Sequence, residues 1–198
     1  MNYAGLSIKE YLKELSSEKP IPGGGGTSAL VAALGISLVE MVARIAVKHL
    51  DAEKQKNLSD IINLLGRLRS TAEQVIDLDP KVYQQVMDAY AKKKSIPDPK
   101  QAQDLIESAF KQSFKLQADL ASLVTTAKQL LLNVNSYAKG SIQNDLVVAS
   151  GILDGAFNGA VATARINVVY MKDETEKAQS IKTLKELEEK YSKIKFQS

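Results

Sequence analysis

Four consecutive glycines, Gly23, Gly24, Gly25 and Gly26, follow Pro20-Ile21-Pro22 and lead through Thr27-Ser28 into an apolar segment from Ala29 to Val47. Each glycine loses more backbone freedom on ordering than any other residue type, so a run of four ahead of a helix is costly. Bare N–H groups at a helix N-terminus favour an anionic or electron-rich ligand, because those donors lack intrahelical partners and the helix dipole adds positive potential. A tight turn with Thr27 or Ser28 as N-cap accounts for the same residues equally well. The run is not a P-loop, since no Gly-Lys-Ser/Thr follows it. Nor is it a dinucleotide fingerprint, since no βαβ unit surrounds it.

Several other chemistries are excluded by count. The chain has no cysteine, hence no disulfide framework, thiolate zinc site or cysteine nucleophile. His49 is the sole histidine, so no multi-histidine metal site can form, and its place near the end of a helix suits a surface or helix-end role. The carboxylates Asp51, Glu53, Asp60, Asp77 and Asp79 show no metal-ligand spacing, and no metal is expected. A net charge of +3 mildly favours small acidic ligands. The one basic run, Lys92-Lys93-Lys94, reads as a solvated helix end and is too thin for a nucleic-acid stripe, so no nucleic-acid partner is expected. Met1 to Glu18 lacks the apolar core and small-residue cleavage site of a secretory signal. Ala29 to Val47 is the only membrane candidate, and Glu40 and Arg44 interrupt it; it reads as core, in a cytoplasmic protein.

The elements that must position the glycine run are helical almost without exception, because apolar residues recur at three and four and almost never alternate. Ser7-Ile8-Lys9-Glu10 is a capping-box pattern opening a first helix. Ala29–Leu50 forms a second and Lys54–Ile76 a third. Asp79-Pro80 then reads as a break before a fourth helix carrying Tyr83, Val86, Met87 and Tyr90. A fifth starts at Asp98-Pro99 and runs towards Asn133. After a loop over Asn135–Ser141 come a sixth, Asn144–Tyr170, and a charged last helix, Asp173–Lys195. With 198 residues, 44% of them hydrophobic, the expectation is an all-α single domain, a bundle of about six to seven helices over residues 1–198.

The sixth helix carries Gly151, Gly155 and Gly159 at intervals of four. Each costs about 1 kcal/mol against alanine inside a helix, so a line of three predicts another backbone close by, within the subunit or in a partner.

Taken together, Pro-x-Pro-Gly-Gly-Gly before a small-residue helix, Asp79 four residues before Tyr83, Asp145-Leu146 opening a late helix and Arg165-Ile166-Asn167 closing it resemble the formiminotransferase-cyclodeaminase family. That family includes cyclodeaminase domains and stand-alone methenyltetrahydrofolate cyclohydrolases. The resemblance runs from about Leu6 into the last helix. It implies a helical subunit in an intertwined homodimer, acting on a tetrahydrofolate one-carbon adduct or its polyglutamylated form, with no cofactor beyond that substrate. The reaction it implies needs a positioned proton carrier, and the family's catalytic aspartate aligns with Asp79. A capping role for Asp79 on the helix after Pro80 competes with this, since a capping carboxylate is held anionic.

By the same resemblance Gly23, Gly24, Gly25, Gly26 and Tyr83 line the substrate site, with Asp145, Arg165 and Asn167. Arginine suits a carboxylate, and asparagine a pterin edge. Asp77 is a reserve candidate, otherwise an exposed turn residue. The chain departs from the family pattern at Ala138-Lys139, where Gly-Asn is common, and at Thr163, where asparagine is common. Lys139 would then bind a polyglutamate tail or mark a changed substrate. The alternative reading is a non-catalytic helical oligomer that keeps the scaffold and a ligand site.

Overall fold

The computed structural model describes residues 1–196. Among them are six α-helices: α1 (Ile8–Leu15), α2 (Gly24–Ala46), α3 (Ala52–Lys93), α4 (Pro99–Asn135), α5 (Gln143–Tyr170) and α6 (Glu174–Ser192). Short 3-10 turns, Val47–His49 and Gly140–Ile142, follow α2 and precede α5. No strand is found among the described residues, so the chain is all-α.

Two of the caps read from sequence are in place. Ser7 and Glu10 form the reciprocal capping box of α1, and Asp98 accepts from Lys100 N–H with Pro99 in the first turn of α4. Asp173 accepts from Thr175 and Glu176 N–H at the start of α6. Two boundaries differ from the sequence reading. Helix α2 begins at Gly24 rather than Ala29, so the glycines form its first turn. Thr27 and Ser28 do not cap it; their hydroxyls donate back to Gly23 and Gly24 carbonyls at 2.8 and 2.7 Å.

The second difference is larger. The predicted third and fourth helices are one, because α3 runs unbroken through Pro80. A mid-helix proline costs roughly 3 kcal/mol, since it removes one helical hydrogen bond and crowds the preceding turn. Here Pro80 is buried, and α3 packs against both α2 and α4. The bond that is lost is the one to the Ile76 carbonyl, four residues back. The backbone of α2 packs against that carbonyl: a Cβ on Gly26 would stand 3.3 Å from Ile76 O. Packing therefore overrides the local break signal.

Helices α2 to α5 form an up-and-down bundle. Glu40 of α2 meets Arg69 of α3, and Lys128 of α4 meets Ser150 of α5. The close approach of α5 to α2 is antiparallel: Gly24 faces Thr163, Ser28 faces Gly159 and Gly35 faces Leu153. The core between them holds Ile36, Val39, Leu65, Leu120, Leu131, Leu146 and Leu153, all fully buried. Helix α6 packs on the outside of α4 and α5, where Tyr191 stacks on Phe157 with ring centroids 3.8 Å apart.

Of the glycine line in α5, only Gly159 meets a neighbouring helix. A Cβ there would collide with Ser28, whereas around Gly151 and Gly155 nothing lies within 4 Å and both residues are exposed. A second segment, Gly140–Tyr170, is also long and apolar enough to cross a membrane, so Ala29–Val47 is not unique in that respect. Both segments contribute their buried faces to the bundle core.

Candidate active site

The up-and-down arrangement brings four elements to one end of the bundle: the first turn of α2, the C-terminal half of α3, the N-terminal half of α4 and the last turns of α5. Between them lies a cavity of about 550 Å³. That size suits a drug-sized or cofactor-sized organic ligand. Its polar corner is made by Gly23, Gly24, Gly25, Asp79, Ser113, Thr163 and Asn167. The opposite wall is apolar and aromatic, from Tyr83, Val86, Met87, Tyr90, Phe110, Ile166 and Tyr170.

Because α3 is continuous, Asp79 and Tyr83 lie one turn apart on the same helix face, with Val86, Met87 and Tyr90 following at helical spacing. The Tyr90 ring meets Phe110 edge-on at 6.0 Å, and Phe110 stacks on Tyr170 at 5.6 Å with 14° between the planes. These rings give a flat ligand a stacking surface.

Asp79 caps no helix of its own, which corrects the reading of it as an N-cap after a break. Its carboxylate crosses to two other helices. Oδ2 accepts from the Gly26 N–H at 2.9 Å and Oδ1 from Gln117 Nε2 at 2.7 Å. Asp79 thus serves as the missing cap for the first turn of α2, where Gly23 has no side chain to offer. Burial raises its carboxyl above the ordinary value of 3.8, against the opposing effect of those two hydrogen bonds. Desolvation is the largest effect, and among the described residues no Lys, Arg or His lines the cavity to oppose it. A carboxyl held this way takes up a proton more readily than a solvated aspartate, which suits it to proton transfer.

Gly25 has a specific reason to be glycine. A Cβ on it would fall onto Asp79 Oδ1 and Gln117 Nε2, so the missing side chain makes room for their hydrogen bond. Gly24 is under no such constraint, since its Cβ would meet only Thr163 Oγ1 at 3.6 Å. Gly26 does not line the cavity, and its N–H is committed to Asp79, leaving Gly23, Gly24 and Gly25 as the glycines that bring backbone to the ligand side.

Asn167 lines the cavity, is 8% exposed, and its Nδ2 donates to the Thr163 carbonyl at 2.8 Å, which commits the donor side of the amide. Arg165 lies on the outer face of α5, where its guanidinium pairs with Glu188 of α6 at 2.6 Å. It borders a shallow depression that shares Ile166 with the cavity. Lys139 and Asp145 are elsewhere. Lys139 lies beside Leu50, Asp51 and Lys54 past the C-terminal end of α2, and Asp145 is in the first turn of α5. Helix α2 has 23 residues, so these groups are about 35 Å from its glycine end. Asp77 is not a turn residue: it sits inside α3 and accepts from the Tyr3 and Ala4 N–H groups, anchoring the N-terminal segment. His49 is exposed in the 3-10 turn after α2.

Sequence reasoning missed Gln117, Ser113 and, apart from Tyr83, the aromatic wall. The signal was a pair of polar residues, Ser113 and Gln117, one turn apart on the buried face of α4, where Phe110, Phe114 and Ala121 make the stripe apolar.

A family model described as formiminotransferase-cyclodeaminase matches residues 7–186. The methenyltetrahydrofolate cyclohydrolase of Methylorubrum extorquens is 25% identical over 184 residues, which is 92% of this chain and 87% of that protein. The formimidoyltransferase-cyclodeaminase of Rattus norvegicus is 24% identical over 180 residues, 88% of this chain but 32% of that protein, so the chain spans about a third of its length. The solved structure of formiminotetrahydrofolate cyclodeaminase from Thermotoga maritima matches with a TM-score of 0.84 at 22% identity, covering 95% of this chain and 91% of that one. At that identity it establishes the helical fold. With a family model covering most of the chain and the same fold in a solved relative, the chain belongs to the formiminotransferase-cyclodeaminase family.

Proposed function

We propose that this chain acts on a tetrahydrofolate one-carbon adduct, as a formiminotetrahydrofolate cyclodeaminase or a methenyltetrahydrofolate cyclohydrolase, with Asp79 carrying the proton. The observation that supports it is a half-buried carboxyl of raised pKa facing an aromatic-walled cavity of about 550 Å³. In the first reaction N10 attacks the formimino carbon, and ammonia departs to leave the 5,10-methenyl form. In the second, water adds to the methenyl carbon, the bond from that carbon to N5 breaks and 10-formyltetrahydrofolate forms. Each passes through a tetrahedral carbon bearing nitrogen, which requires a proton removed from the incoming group and a proton supplied to the leaving nitrogen. Asp79 does both in turn, while the stacked Phe110 and Tyr170 hold the ring system and Asn167 Oδ1 accepts from its edge.

The same reading includes a homodimer and a polyglutamate tail. The outer face of α5 carries Val147, Val148, Gly151, Gly155, Ile166 and Val169, all exposed in the subunit. Two copies packed antiparallel through Gly151 and Gly155 would cover that stripe and bring the partner's Lys139 end towards the Arg165 end. A glutamate tail leaving the cavity past Ile166 would meet Arg165 first.

The test is an absorbance assay in the methenyltetrahydrofolate band, run separately with the formimino and methenyl adducts, on wild type and Asp79→Asn. Formation of the band from the formimino adduct identifies a cyclodeaminase, and its decay a cyclohydrolase. Absence of both in a folded, folate-binding protein would favour the non-catalytic scaffold.

A further inference from the structure

Gln117 is fully buried in the middle of α4, and its Oε1 has no hydrogen-bond partner among the described residues. Buried acceptors are nearly always satisfied, because an orphan forfeits its hydration without replacement. An apolar residue of similar length would spare that cost, so the stability of the bundle does not explain the glutamine. What the side chain does make is one bond, Nε2 to Asp79 Oδ1 at 2.7 Å, and it makes it in the notch left by the absent side chain of Gly25. Three helices are shaped around this contact: α2 gives up a side chain, α3 supplies the acid and α4 buries an amide.

We propose that Gln117 is the positioning residue for Asp79, holding Oδ1 while the Gly26 N–H holds Oδ2, so that the remaining lone pairs of the carboxyl face the cavity. This rests on the assignment of Asp79 as the proton carrier. Geometry gives the amide a second role. The groups facing Asp79 are Tyr11 from α1, the glycine backbone from α2, Tyr83 on its own helix, Ser113 and Gln117 from α4, and Thr163 and Asn167 from α5. None of these is a cation. Only the two hydrogen bonds favour the ionised form, and Gln117 supplies the one that a substitution can remove without touching backbone.

The experiment is a ¹³C NMR titration of the Asp79 carboxyl, with kcat and KM measured against pH, in wild type, Gln117→Met and Gly25→Ala. Gln117→Met removes the donor and the orphan acceptor together at nearly constant volume. The expected result is an Asp79 pKa raised by about one unit, a tenfold change in proton affinity. The pH profile of kcat should move the same way, with kcat down roughly ten- to a hundredfold and KM within about threefold. Tm should be unchanged or higher. Gly25→Ala breaks the same contact from α2 and should raise the carboxyl in the same direction, which keeps the test intact if the methionine variant does not fold. An Asp79 that titrates at its wild-type value in the folded variants overturns the proposal. Because the titration needs no substrate, a raised pKa in a protein inactive on both adducts would support the positioning role and remove the proposed reaction.

Discussion

The Gly26 N–H donates to Asp79 Oδ2 at 2.9 Å, joining the first turn of α2 to the middle of α3 across 53 residues of sequence. A capping interaction that helices normally make with a residue beside them is here made by the candidate catalytic acid on another helix. Capping and catalysis were competing readings of Asp79 at the sequence level. In the folded chain one group is placed for both, with Oδ2 tied to the start of α2, Oδ1 to Gln117 and the carboxyl at the cavity edge.

Asp79→Asn separates the two roles. Asparagine retains an oxygen for the Gly26 N–H, and its amide can donate to Gln117 Oε1 once that side chain turns over, so the helix start stays capped. Turnover on the folate adduct should fall by about 10²-fold or more. Stability has a definite pH dependence. The native carboxyl of Asp79 is raised, so its contribution is fully present below the unfolded value of 3.8 and is lost as pH rises through the native pKa. The Asn variant lacks this loss, so its Tm relative to wild type should climb with pH from about 4 upward. Calorimetry across pH 3 to 8 checks it, and a difference independent of pH would contradict the buried-acid reading.

The helices were legible because their apolar spacing and local caps are encoded within a few residues: Ser7 with Glu10, Asp98 with Pro99 and Asp173 with the N–H groups after it all did what their types predict. Pro80 misled for a physical reason. Its break signal is local, whereas its tolerance comes from α2 and α4, which are remote in sequence. Gln117 was hidden for the same reason, because a polar residue on an apolar stripe acquires meaning only when its partner is known. Lys139 and Asp145 illustrate the converse. The resemblance put Asp145 at the substrate site and offered Lys139 for its tail, but an antiparallel bundle sends the two ends of α5 to opposite ends of the subunit.

Arg165 offers a test of the tail site. Its guanidinium is engaged by Glu188, so a glutamate tail must displace that carboxylate or share the cation with it. A polyglutamylated adduct should bind more tightly than the monoglutamate, and salt should erode the advantage because exposed charges are screened. Glu188→Gln should widen the preference and Arg165→Ala should narrow it. Titration calorimetry at two salt concentrations measures all four combinations. Equal affinities throughout would remove the tail from the proposed function.

Gly155 tests the dimer. Its exposed face has room for a side chain in the isolated subunit, so Gly155→Leu should fold, with helix propensity in its favour. At a close-packed helix pair the same leucine should cost about 1–3 kcal/mol or more and shift the assembly towards monomer. Sedimentation velocity over a dilution series reads the shift. A variant that pairs as tightly as wild type, or a wild type that is already monomeric, would rule out α5 as the pairing surface.

The last helix is held by a polar contact whose strength should fail in alkali. Lys128 is buried and donates to Ser150 O, Ser150 Oγ and Asp154 Oδ1 at 2.9, 2.6 and 2.8 Å, and the Tyr191 hydroxyl donates to the same Asp154 oxygen at 2.7 Å. Burial, followed by the hydrogen bond and charge of Asp154, raises the Tyr191 phenol far above its ordinary value of 10.0. A raised native pKa means that this stabilisation is complete below pH 10 and is lost as pH rises further, because the unfolded chain ionises first. Tyr191→Phe keeps the ring stacked on Phe157 but removes the proton. It should therefore be less stable than wild type by about 1 kcal/mol at neutral pH, and the gap should close above pH 10. Melting curves between pH 7 and 11.5 decide the point, and a gap that stays constant would show that the hydroxyl contributes nothing through Asp154.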